Sequence, residues 1–115
     1  MILIISSQGR TLDSKPNPRF GRAPIFIRYN LESDAWVALN NPAVTEQGGA
    51  GVAASQFIID QGVSDAISGN FGPNAYQALK TAGVLMWSFN QDYGTVQAVI
   101  DAYVHSELKQ INHPG

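Results

Sequence analysis

Short apolar runs alternate with longer stretches rich in glycine and proline. Residues 2–6, "ILIIS", form a continuous apolar run, the pattern of a central strand buried on both faces. "IFIRYN" (25–30) and "AWVALN" (35–40) read as a second and third strand, joined by "LESD" in a hairpin-like turn. Helical spacing then sets in over residues 52–62, with Ala54 over Ile58, Ala53 over Phe57, and Gly62 as a C-terminal stop. "DAISG" (65–69) is a short strand. Residues 72–83 make a second helix with Pro73 near its start, an apolar face of Ala75, Ala78, Leu79 and Ala82, and Gly83 past its end. "VLMWSF" (84–89) is a strand, and Thr95 opens a third helix bearing Val96, Val99, Ile100 and Tyr103 at helical spacing. The polar tail from Glu107 is expected to fray.

The order β-β-β-α-β-α-β-α predicts one α/β domain over residues 1–115, a mixed sheet with helices on both faces and right-handed crossovers. If the first three strands form an antiparallel meander, the third runs parallel to the first. The C-terminal ends of strands one, three, four and five then share one edge. The loops leaving those ends are 7–23, 41–51, 69–73 and 89–95, the irregular glycine-bearing stretches of the chain. In open α/β sheets, ligands bind at such an edge.

Composition narrows what that edge could bind. Apolar residues make up 44% of the 115 and charged residues only 14%, below the usual ~25%. A net charge of -2 argues against broad binding to nucleic acid or to acidic membranes. The absence of cysteine removes disulfides, thiolate metal sites and thiol nucleophiles. "MILIIS" lacks a basic flank and is too short for a signal or membrane segment, so a cytoplasmic protein is expected.

Within this charge-poor chain, "PNPRFGRAPIF" (16–26) sets Arg19 and Arg22 on one proline-stiffened loop. They read equally as solvated surface charges, Arg22 bracing against Glu46 or Asp13, or as two arms of an anion clamp. Three of the four loops, "EQGGAGVAA", "GNFGPNA" and "DYGTV", end at a helix start. There, unpaired N–H groups and the helix dipole attract anions. Each glycine alone is more simply a turn or cap residue, but three such loops meeting an arginine loop point to an anion or polar-ligand site. Phe71, Phe89 and Tyr93 stand as wall residues or loop anchors. Catalytic constellations are weak. Asp13, Asp34, Asp65 and Asp92 are scattered, and Asp13 and Asp65 read as turn residues bonding their own backbone. His105 and His113 near the C-terminus do not make a metal site by themselves.

"LDS" (12–14), "PRFGRAPIFIRY" (18–29), "GAGVAA" (49–54), "GNFGPNAYQAL" (69–79) and "GTVQAVIDAY" (94–103) together resemble the dinitrogenase iron–molybdenum cofactor biosynthesis family, which includes NifX-like proteins and the C-terminal domain of NifB. The resemblance spans essentially the whole chain, with its motifs in order. It implies a ribonuclease H-like three-layer α/β/α fold with a five-stranded sheet of order 3-2-1-4-5, strand two antiparallel. It also implies a carrier of anionic metal–sulfur clusters and no turnover. By position, the implied cluster-binding residues are Arg19, Phe20, Gly21 and Arg22, then Gly49 and Gly51, then Asn70, Gly72, Pro73 and Asn74. The cargo would be an Fe–S or Mo-containing cluster held non-covalently, and the partners cluster-donating or cluster-accepting proteins. "SFNQDYG" (88–94) is bulkier than the family segment before "GTV" and is expected to reshape the pocket.

Two other functional classes compete. A metal-dependent nuclease of this fold needs carboxylates on its central strands, and "ILIIS" and "AISG" supply none. A binding module for a small anionic ligand or a partner protein, without any metallocluster, would use the same loops.

Overall fold

The computed structural model describes residues 1–46 and 48–113. The loop expected at residue 47 and the frayed tail expected at 114–115 lie outside the described residues. The strands are β1 (Ile2–Ser7), β2 (Ile25–Asn30), β3 (Trp36–Asn40), β4 (Asp65–Ser68), β5 (Leu85–Ser88) and β6 (Lys109–Gln110). The helices are α1 (Ala50–Asp60), α2 (Gly72–Thr81) and α3 (Val96–Val104). Two 3-10 turns, Phe20–Arg22 and Pro42–Thr45, lie within stretches expected to be irregular.

The six strands form one mixed sheet in the order β3-β2-β1-β4-β5-β6. β2 runs antiparallel to both β1 and β3, while β4 and β5 run parallel to β1. The order and directions of the first five strands are therefore those expected. The sheet differs from expectation in its sixth strand. Instead of fraying, residues 109–110 pair antiparallel with Trp87 and Ser88 at the outer edge of β5. Leu108 and Ile111 flank the pair and pack against opposite faces of the sheet, so two apolar anchors hold a strand whose own residues are polar.

β1 reads as unbroken hydrophobicity because both of its faces are covered. Ile4 joins Phe26, Ala66 and Met86 beneath α1 and α2. Leu3 and Ile5 join Ile27 and Ile67 beneath α3. The β2–β3 connection closes as a four-residue hairpin: the Asn30 N–H donates to the Ala35 carbonyl at 2.8 Å. Asn30 Oδ1 also accepts from the Glu32 N–H at 2.8 Å, and Asp34 takes a left-handed conformation with φ 62°. The Tyr29 hydroxyl donates to Asp34 at 2.7 Å. That hydrogen bond, then burial, raises the Tyr29 pKa. The parallel and meander connections place the C-terminal ends of β1, β3, β4 and β5 along one edge.

Candidate functional site

The arginine loop is fastened to that edge by buried hydroxyls. Ser6 and Ser68, at the ends of adjacent strands β1 and β4, are fully buried, with their Oγ atoms 2.8 Å apart. The Ser6 hydroxyl lies 2.6 Å from the Asn17 carbonyl, and Ser68 Oγ lies 3.4 Å from the Pro18 carbonyl. A buried hydroxyl needs a partner, so these two serines tie the part-buried carbonyls of Asn17 and Pro18 to the sheet and fix where the loop crosses it. Gly69 lets it cross closely: a Cβ there would sit 2.8 Å from the Pro18 carbonyl oxygen. The loop then follows β4 outward, with the Phe20 N–H donating to the Asn70 carbonyl at 3.1 Å.

Phe20 is 1% exposed and turned into the core, its ring centroid 5.0 Å from Phe71 and 5.3 Å from Phe26. With Phe20 anchored, Arg19 and Arg22 are left exposed at the sheet edge. One guanidinium N–H of Arg22 donates to the Glu46 backbone carbonyl at 2.9 Å, so Arg22 braces the second loop through its main chain, not through the Glu46 carboxylate. Among the described residues, the Arg19 guanidinium has no hydrogen-bond partner.

These loops enclose a cleft of about 360 Å³. All ten residues expected at the site line it: Arg19, Phe20, Gly21, Arg22, Gly49, Gly51, Asn70, Gly72, Pro73 and Asn74. Ala50, Phe71 and Ala75, which the motif reading did not single out for cluster contact, complete the wall. The N-termini of α1 and α2 both open onto the cleft. α1 begins after Gly49, which adopts φ 72° and offers no capping side chain. The first amides of a helix have no intrahelical acceptor, so Ala50 and Gly51 present N–H groups to the cleft. At α2, Asn70 Oδ1 accepts from the Gly72 N–H at 2.9 Å and Pro73 has none, which leaves Asn74 as the α2 donor.

Among the described residues, no carboxylate, histidine or thiol lines this cleft. It offers N–H donors and positive charge but no side chain suited to bond a metal directly. Among the described residues, no three His, Cys, Asp or Glu side chains group as a metal site. The donor set suits an anion whose metals already carry their own ligands.

Loop 89–95 does not line this cleft. It sits beyond Arg19 and Asn70, where Phe89, Asn90, Gln91 and Asp92 border a separate hollow. Phe89 is buried against the α3 layer with Tyr93 edge-on to it, so both are anchors of that loop. Three loops, not four, therefore build the cleft. The bulk of "SFNQDYG" is spent beside it, with Lys15 and Asp92 3.8 Å apart across the hollow.

Asp65 is not a turn residue bonding its own backbone. It opens β4 fully buried, and its Oδ2 accepts from Trp87 Nε1 at 2.8 Å and the Tyr103 hydroxyl at 3.0 Å. Its other oxygen, Oδ1, is buried and has no hydrogen-bond partner among the described residues. Burial, together with the bond to Asp65, pushes the Tyr103 pKa up to about 12. This triad lies at the opposite end of the strands from the cleft, where β4 begins.

The family model for the dinitrogenase iron-molybdenum cofactor matches residues 1–106, and the chain belongs to that family. Among solved structures, the apo form of the orange protein from Desulfovibrio gigas superposes with a TM-score of 0.93 at 27% identity, covering 99% of this chain and 95% of that one. A provisionally assigned NifB protein from Thermotoga is 33% identical with a TM-score of 0.83, covering 99% of this chain and 98% of its own. No curated protein sequence matches the chain. No helix among the described residues is long and apolar enough to cross a membrane.

Proposed function

We propose that this protein is a non-catalytic carrier that holds a preassembled anionic metal–sulfur cluster, of iron–molybdenum or related Mo/Fe type, in the cleft of the three loops. The observation that carries this reading is the pairing of two exposed guanidiniums with two helix N-termini around a cleft that, among the described residues, no metal-ligating side chain lines. Guanidinium and amide N–H groups form charge-assisted hydrogen bonds to sulfide or oxo atoms, and they hold a finished anion without opening its metal coordination. Family membership supports the cargo class.

Arg19 and Arg22 supply charge and donors, and Gly49 and Gly51 let the α1 amides approach. Asn70, Gly72, Pro73 and Asn74 shape the opposite wall, and Phe20 with Phe71 fixes the floor. Release to an accepting protein needs only competition for these hydrogen bonds, because no metal–protein bond has to break. Purification from the native source under anaerobic conditions tests the proposal. Visible absorption that co-elutes with the protein, together with molybdenum or iron and acid-labile sulfide, is the expected result. Colourless protein that carries a metal-free anion in the same cleft would instead favour a binding module for small anions.

A further inference from the structure

The sixth strand creates a second cavity that the cluster reading does not use. It measures about 220 Å³ and lies between β6 and the start of α2, separated from the cluster cleft by the wall of Asn70, Phe71 and Gly72. We infer that this cavity binds a small organic carboxylate with a hydrocarbon body about the size of one aromatic ring.

Three features define that ligand. First, Lys109 and His113 line the cavity and, among the described residues, no carboxylate does, so its charge preference is for an anion. An ammonium group gives a carboxylate a charge-assisted hydrogen bond, and the Ser88 hydroxyl, which makes only a long 3.5 Å contact to the Lys109 carbonyl, can rotate to add a neutral one. Second, Phe71, Tyr76 and Ile111 also line it, and Phe71 and Tyr76 are buried. A bare inorganic anion leaves that apolar surface wetted, whereas a hydrocarbon body displaces the water. Third, the volume lies below the ~300–1,000 Å³ usual for drug-sized ligands. A metallocluster suits the larger, arginine-bearing cleft better.

The placement follows from strand register. Lys109 pairs with Ser88, so the two side chains share the α2 face of the sheet. The Ile111 N–H donates to the Met86 carbonyl at 2.8 Å, which fixes the apolar end of the cavity.

The test is an amide NMR titration of the full chain with benzoate, using benzyl alcohol and inorganic phosphate as matched probes. Saturable benzoate shifts at Ser88, Lys109, Gln110 and Ile111 are expected, with little response there to either control. Lys109→Met should weaken benzoate at least five-fold while leaving the remaining spectrum in place. If that variant disturbs β6, His113→Ala should weaken benzoate by a smaller factor. The inference is overturned if the wild type shows no saturable shift at these amides. An equal response to benzyl alcohol or phosphate, or benzoate shifts confined to residues 19–22 and 49–51, overturns it equally.

Discussion

The Phe20 N–H donates to the Asn70 carbonyl at 3.1 Å, tying the arginine loop to the turn that begins α2. This one bond unites two walls of the cleft, and the close passage of Pro18 over Gly69 makes it possible. Gly69→Ala should therefore act at a distance. Its Cβ would meet the Pro18 carbonyl oxygen at 2.8 Å, and backbone must shift to relieve the overlap. A loss of about 1–3 kcal/mol in urea unfolding is expected, the range for overpacking. The Phe20 and Asn70 amide resonances should move with it. An unchanged midpoint and spectrum would mean that the loop does not depend on this crossing.

Ser6→Ala tests the hydroxyl fastening. The substitution leaves the Asn17 carbonyl without its side-chain donor in a partly buried setting. About 1–2 kcal/mol of stability should be lost, in line with an orphaned polar group. Anion binding should weaken as the arginine loop loosens, while the α3 face of the sheet keeps its hydrogen-exchange protection. Loss of protection spread evenly over both faces would show that Ser6 serves the whole sheet and not the loop.

The Asp65 triad makes a separate prediction about stability. Asp65→Ala strands two part-buried donors, from Trp87 and Tyr103, and should cost about 1–3 kcal/mol. Asp65→Asn keeps an oxygen that can accept from both and should cost less than half as much. Equal losses in chemical denaturation would refute the role given to these bonds.

Tyr103 links the same triad to pH. Its folded pKa of about 12 stands above the ordinary value of 10.0. Between about pH 10 and 12 the unfolded chain releases this proton while the folded chain keeps it, so stability falls as pH rises through that window. Tyr103→Phe should flatten this part of the decline in urea melts compared between pH 9 and 11. A wild type and variant that fall in parallel would show that Tyr103 ionises near its ordinary value.

Much of this molecule was legible in its residues. "ILIIS" marks β1 because burial on both faces leaves no polar alternation, and Thr95 marks α3 by accepting from the Ala98 N–H at 3.1 Å as its cap. Strand direction alone brings four loops to one edge once the meander is granted, and three of them build the cleft. β6 escaped because Lys109 and Gln110 are polar and pair only through backbone. The one available signal was Leu108 and Ile111, apolar residues flanking that polar pair. Asp65 was misread because its donors stand 22 and 38 residues away, a separation no local pattern reveals. Loop 89–95 shares the edge but turns outward, since Phe89 is drawn into the α3 layer rather than toward Arg22.

In the proposed carrier function, Arg22 and Arg19 engage an anionic cluster in the cleft. This engagement is tested most directly by anaerobic titration of wild type, Arg22→Ala and Arg22→Lys with tetrathiomolybdate or a preformed iron–molybdenum cluster, each at two salt concentrations. Arg22→Ala should lose about 1.5–3 kcal/mol of binding, the range for hydrogen bonds to charged groups. Lys should restore only part of that, because it returns charge without the planar fork. Affinity should fall with salt, since both arginines stand exposed to solvent. Equal affinities for all three proteins, unmoved by salt, would mean that the arginines do not hold the anion and would leave Arg22 only as the brace on Glu46.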